Sequence, residues 1–105
     1  MAARIAKDVF EEKVLKSPVP VIVDFYSDSC VACKMLAPVI ESLSAQYDGK
    51  VLVGKVNVDE EPELAREFGV MSIPTVVFLK NGREFDLKVG VMPPEEFISV
   101  LDKNL

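Results

Sequence analysis

Hydrophobic positions change their spacing several times along the chain, and each change marks an element. Asp8, followed three residues later by Glu11, predicts a helix start of the capping-box type, with Val9, Phe10 and Val14 on the apolar stripe. Ser17-Pro18 ends that helix. VPVIVDFY (19–26) is apolar on both alternating faces except at Asp24, the pattern of a central strand covered on two sides. From about Cys30 to Tyr47 the spacing turns helical through Leu36, Val39, Ile40, Leu43 and Tyr47, and Asp48-Gly49 closes the segment. Pro38 falls inside this helix and predicts a kink.

KVLVGKVNVD (50–59) alternates as a second strand, and Pro62 opens a short helix with Leu64 and Phe68, stopped by Gly69. TVVFLK (75–80) and EFDLKVG (84–90) flank Asn81-Gly82, a type I′ hairpin signal. Pro93-Pro94 leads into a last helix with Phe97, Ile98 and Leu101 inward, and a short edge strand is expected near Arg4–Ala6. Helices alternate with strands first and a hairpin comes last. That order predicts an α/β fold with a mixed sheet and helices on both faces. No repeat, low-complexity tract or linker divides the chain, so residues 1–105 are read as one domain.

Composition narrows the function. Half of the 105 residues are hydrophobic, enough for a core without extra staples. The net charge is −5 and the basic residues are scattered, which argues against nucleic acid or an anionic membrane as partner. The longest apolar stretches fall far short of the ~20 residues of a membrane-spanning helix. MAARIAKDVF carries charge and no apolar run follows it, so a cytoplasmic location is the expectation.

SDSCVACK (27–34) holds both cysteines, Cys30 and Cys33, and the chain has no histidine. A metal site usually wants four ligands, and two thiols do not supply them, so no metal is expected. A structural clip would close too short a loop to stabilise much. Positions i and i+3 at a strand-to-helix junction are neighbours whose sulfurs can join or part without moving the fold. A helix N-terminus also offers free N–H groups to the first sulfur. Of these readings, a working redox pair fits best.

With VIVDFYSDSCVACKMLAP, VGKVNVDEEPELAREFGVMSIPTVVFLKNG and the Gly90 region, the chain resembles the thioredoxin family over nearly its whole length. The resemblance implies a thioredoxin fold: a three-layer domain with a central mixed sheet of four to five strands and four flanking helices. It implies reversible dithiol–disulfide exchange with disulfide-containing protein substrates, and a thioredoxin reductase as electron donor. Neither a cofactor nor an oligomeric partner is implied, and a monomer is expected.

By the same resemblance Cys30 is the attacking sulfur and Cys33 the resolving one, Asp24 the buried carboxylate that moves the resolving proton, and Lys55 a lysine near it. Pro74 stands where the family has a cis-proline, which would turn the Ile73 backbone toward Cys30 for an extended substrate. Pro38 matches the family's helix-kinking proline, and Gly82 and Gly90 match glycines of the hairpin and of the substrate-facing surface. On pattern alone Asp24 is open to a solvent-facing reading, and Lys55 to an ordinary solvated one. Met71 and Met92 read either as core or as an adaptable docking surface.

Two departures from the family pattern stand out. Ser29 occupies the place of the usual tryptophan on the docking surface, and Val31-Ala32 replaces the usual Gly-Pro between the thiols. A less negative reduction potential and weaker docking to some partners are expected. Two other readings compete: an accessory binding module with idle thiols, and a redox protein biased toward oxidation or isomerisation.

Overall fold

A computed structural model describes residues 2–105. Its five strands are β1 (Ala3–Arg4), β2 (Val21–Tyr26), β3 (Leu52–Asn57), β4 (Thr75–Lys80) and β5 (Arg83–Val89). The helices are α1 (Lys7–Phe10), α2 (Val31–Gln46), α3 (Pro62–Glu67) and α4 (Pro94–Asp102), with a π-helical turn at Glu11–Leu15 continuing α1. The sheet runs β1-β3-β2-β4-β5. β1, β3 and β2 are parallel, whereas β4 and β5 are antiparallel additions. This is the expected mixed sheet, in a single α/β domain with the thioredoxin architecture.

β2 and β4 occupy the middle, so both their faces are covered; β2 reads as an apolar run broken only at Asp24, and β4 as the run Val76–Leu79. One layer packs Phe10, Val14, Val23, Phe25, Leu64 and Val77. Phe68 adds tilted ring contacts to Phe10 and Phe25 at 5.5 and 5.7 Å. The opposite layer packs Ile22, Leu36, Ile40, Leu43, Phe78 and Phe97, where the rings of Phe78 and Phe97 stack at 6.2 Å. Met92 packs half-buried against this second layer, whereas Met71 is 96 % exposed. The two methionines therefore separate into a core residue and a surface residue.

The hairpin forms as its sequence requires. Asn81 (φ 54°) and Gly82 (φ 78°) both lie in the left-handed region, as a type I′ turn demands. The helix start at Asp8 is different. α1 begins at Lys7 with Ala6 at its N-cap, and no side-chain cap forms there. Instead the Lys7 N–H donates to the Glu61 carboxylate at 3.2 Å, from 54 residues away. A distant carboxylate does the work expected of a local capping box. The edge strand also lies one to two residues earlier than expected, at Ala3–Arg4.

Tyr26, Asn57, Thr75 and Val89 all fall at the same end of the sheet. The loops after β2 and β3, the loop before β4 and the one after β5 therefore meet there. At the other end lie the Asp48–Lys50 turn and the Asn81-Gly82 hairpin. Among the described residues no helix is long and apolar enough to cross a membrane.

Candidate active site

Ser27, Asp28 and Ser29 carry the chain from the end of β2 to Cys30, the N-cap of α2. Cys30 is extended (φ −91°, ψ 112°), and its Sγ accepts a hydrogen bond from the Cys33 N–H at 3.1 Å. Sulfur here stands in for the serine or aspartate oxygen that usually satisfies a free donor of the first turn. That bond sets the sulfur at the positive end of the helix. Both cysteines are free thiols, Cys30 half-buried and Cys33 buried. Burial, followed by the hydrogen bond with Cys30, pushes the Cys33 thiol up to about 12, against a backbone hydrogen bond from Ser27 that lowers it. The two thiols are thus placed unequally: one presented, one held back and protonated.

Asp24 is 3 % exposed, which removes its solvent-facing reading. It lies in register with Lys55 on β3 and Val76 on β4. Its Oδ1 has no hydrogen-bond partner among the described residues. Burial pushes this carboxyl up from 3.8 to about 6, with the Lys55 charge pulling the other way. Lys55 is half-buried, its Nζ 4.8 Å from the Tyr26 ring centroid. A recess of ≈ 150 Å³ runs along Asp24, Tyr26, Cys33, Lys34, Ala37 and Lys55. The carboxyl and the buried thiol share one cavity.

On its other side Cys30 meets the loop before β4. The Ile73–Pro74 peptide bond is cis. The Cys30 thiol approaches the Ile73 carbonyl at 3.8 Å. Thr75 Oγ1 donates to the Ser72 carbonyl at 2.6 Å, and the Gly90 N–H donates to the Pro74 carbonyl at 2.9 Å. Gly90 has φ 92°, in the region that favours glycine. Ile73, Pro74 and Gly90 are thereby brought together beside Cys30. Val31, Met71 and Val91, next to these residues in sequence, are exposed apolar side chains. Ser29 is exposed in the Cys30 loop, its Oγ 3.2 Å from Ser27 Oγ.

Four polar residues near the thiols escaped the reading of the sequence. Ser27 Oγ donates to Asp59 Oδ2 at 2.6 Å, and Asn57 Nδ2 donates to Asp28 Oδ2 at 3.3 Å. These bonds join the loop after β2 to the loop after β3. The available signal was the run of short Ser, Asp and Asn side chains after two strands, residues that favour hydrogen bonds to loops over helix or sheet. That the strands are parallel neighbours was needed to bring the loops together.

Comparison with known proteins agrees with this geometry. The thioredoxin family model matches residues 1–103. Thioredoxin from Rickettsia bellii is 44% identical over 105 residues, 100% of each chain. Thioredoxin 1 from Nostoc sp. is 42% identical over 104 residues, covering 99% of this chain and 97% of the relative. Thioredoxin from Synechocystis sp. is 46% identical over 96 residues, 91% of this chain and 90% of the relative. Matched along its length to the family, and with its two cysteines close together at the head of α2, the chain belongs to the thioredoxin family and is a thiol-disulfide oxidoreductase.

Proposed function

We propose that the chain works as a reductant of protein disulfides, with Cys30 attacking and Cys33 resolving. The observation that carries this reading is the unequal pair: Cys30 Sγ caps the helix beside the Ile73 carbonyl, and Cys33 is buried and held protonated. Cys30 thiolate attacks one sulfur of the substrate disulfide. The substrate S–S bond breaks, its leaving sulfur takes up a proton, and a mixed disulfide forms. Cys33 then gives its proton toward Asp24 through the shared recess and attacks Cys30 Sγ. The second substrate thiol departs, and two electrons have passed from the cysteine pair to the substrate.

Asp24 suits the proton transfer because a carboxyl near 6 is part-ionised at neutral pH. The recess exceeds the ~30 Å³ that one water occupies in the liquid, so a water relay fits between carboxyl and thiol. Lys55 tunes the carboxyl by its charge. Ile73, Pro74 and Gly90 supply the surface on which an extended substrate segment lies, with Ser29 at its rim. The oxidised pair is reduced in turn by a reductase, and the cycle belongs in a reducing compartment such as the cytoplasm, with the chain acting as a monomer.

Single substitutions test the division of labour. Cys30→Ser abolishes reduction of a protein disulfide, whereas Cys33→Ser still attacks and accumulates as a mixed disulfide visible by mass spectrometry. Iodoacetamide at neutral pH labels Cys30 first. Preferential labelling of Cys33, or attack surviving in Cys30→Ser, would reverse the assignment.

A further inference from the structure

The three residues between β2 and Cys30 are tied down by more than their own backbone. Ser27 is 5 % exposed, and its hydroxyl is the hub. It donates to Asp59 Oδ2 at 2.6 Å, accepts from the Ser29 N–H at 3.4 Å, and meets Ser29 Oγ at 3.2 Å. The Ser27 carbonyl accepts from the Cys30 N–H at 3.3 Å. Asp59 is fixed in turn, because its N–H donates to Asn57 Oδ1 at 2.9 Å and Asn57 is itself buried. Asn57 also reaches Asp28 in the thiol loop. A buried hydroxyl bonded to a carboxylate is a charge-assisted contact, stronger and shorter than a neutral one.

We propose that Ser27, through its bond to Asp59, is a positioning residue for Cys30, holding the thiol loop in the geometry that lets Sγ cap α2. The small Ser29 gives the loop no large side chain to wedge it, and the Ser27–Asp59 bond supplies an anchor beneath it. The reach of the anchor is short. Ser27 is bonded through its own carbonyl to the Cys30 N–H. Neither Ser27 nor Asp59 touches the reacting sulfur of a substrate. Their effect passes through the placement of Cys30.

The bonded geometry is that of the dithiol, in which Cys30 Sγ is free to accept from the Cys33 N–H. Loosening the loop therefore costs the dithiol more than the disulfide. The expected result is slower attack together with a shift of the thiol–disulfide equilibrium toward the oxidised protein. This inference rests on the assignment of Cys30 as the attacking sulfur.

The test compares Ser27→Ala, Asp59→Ala and the double variant with the unaltered protein. Two readouts serve: the rate of attack on 5,5′-dithiobis(2-nitrobenzoate), which needs no protein docking, and the equilibrium constant with glutathione. Each single variant should attack three- to tenfold more slowly and shift the equilibrium constant at least threefold toward disulfide. The double variant should fall no further than Ser27→Ala, because both changes remove one bond. A lowered Tm with unchanged rate and equilibrium would make the contact merely structural and overturn the proposal. Losses that multiply in the double variant would overturn it as well. If Ser27→Ala does not fold, Asp59→Ala alone decides. Cys30→Ser runs alongside: attack surviving there sinks the thiol assignment, whereas normal attack by Ser27→Ala with none by Cys30→Ser sinks only the anchor.

Discussion

A carboxyl buried in an apolar strand costs stability once it ionises, and Asp24 carries that cost in full view of Cys33. Its rise from 3.8 to about 6, at ~1.4 kcal/mol per pH unit, corresponds to about 3 kcal/mol at pH 7. The folded state holds this proton more tightly than the unfolded chain does. Stability from Asp24 is therefore fully present below about pH 4 and lost as pH rises through about 6. Asp24→Asn removes the dependence. The variant should be more stable at pH 7 by at most about 3 kcal/mol, and the gain should vanish near pH 4. Resolution of the mixed disulfide should slow at the same time. Urea midpoints at the two pH values and single-turnover rates check both halves; an unchanged rate would take Asp24 out of the proton path.

At the scale of elements, the strands and the long helix were legible because burial on one or two faces leaves a period in the sequence. β2 shows it as an apolar run broken only at Asp24, β4 as Val76–Leu79, and α2 through Leu36, Ile40 and Leu43. What depended on distant partners was not legible. Nothing near Lys7 announces Glu61 as the acceptor for its N–H, and nothing near Ser27 announces Asp59. The cysteine spacing pointed to the site, but the anchor beneath it depended on two loops meeting across parallel strands. The hairpin offers a test at this scale. A Cβ on Gly82 would stand 2.8 Å from the Leu15 carbonyl, at φ 78°. Gly82→Ala should cost about 1–2 kcal/mol from the left-handed backbone alone, and more from that contact. Its Tm should drop while the rate of attack on a small disulfide stays put, since the hairpin lies at the other end of the sheet.

For the whole molecule, one sheet serves two apolar layers, and β2 and β4 contribute side chains to both. Disrupting either layer should loosen the other, so unfolding should be a single transition. Phe97, fully buried on the inner face of α4 and stacked on Phe78, is a direct probe. Phe97→Ala should cost about 3–5 kcal/mol and keep one cooperative transition by both circular dichroism and tyrosine fluorescence. Two separated transitions would mean that the layers melt independently.

The gathering of every reactive loop at one end of the strands leaves the other end chemically idle. Six-residue strands at ~3.3 Å per residue place that end about 20 Å from the thiols. Asp48 is exposed there, and Gly49, at φ 80°, has open space where a side chain would go. A peptide inserted in that turn is a tether: it can fix the protein to a bead or an electrode with its cysteines facing outward. Immobilised in this way, the protein should reduce disulfide substrates from solution as efficiently as the free chain, whereas coupling through the loops at the other end would mask the thiols it was meant to display.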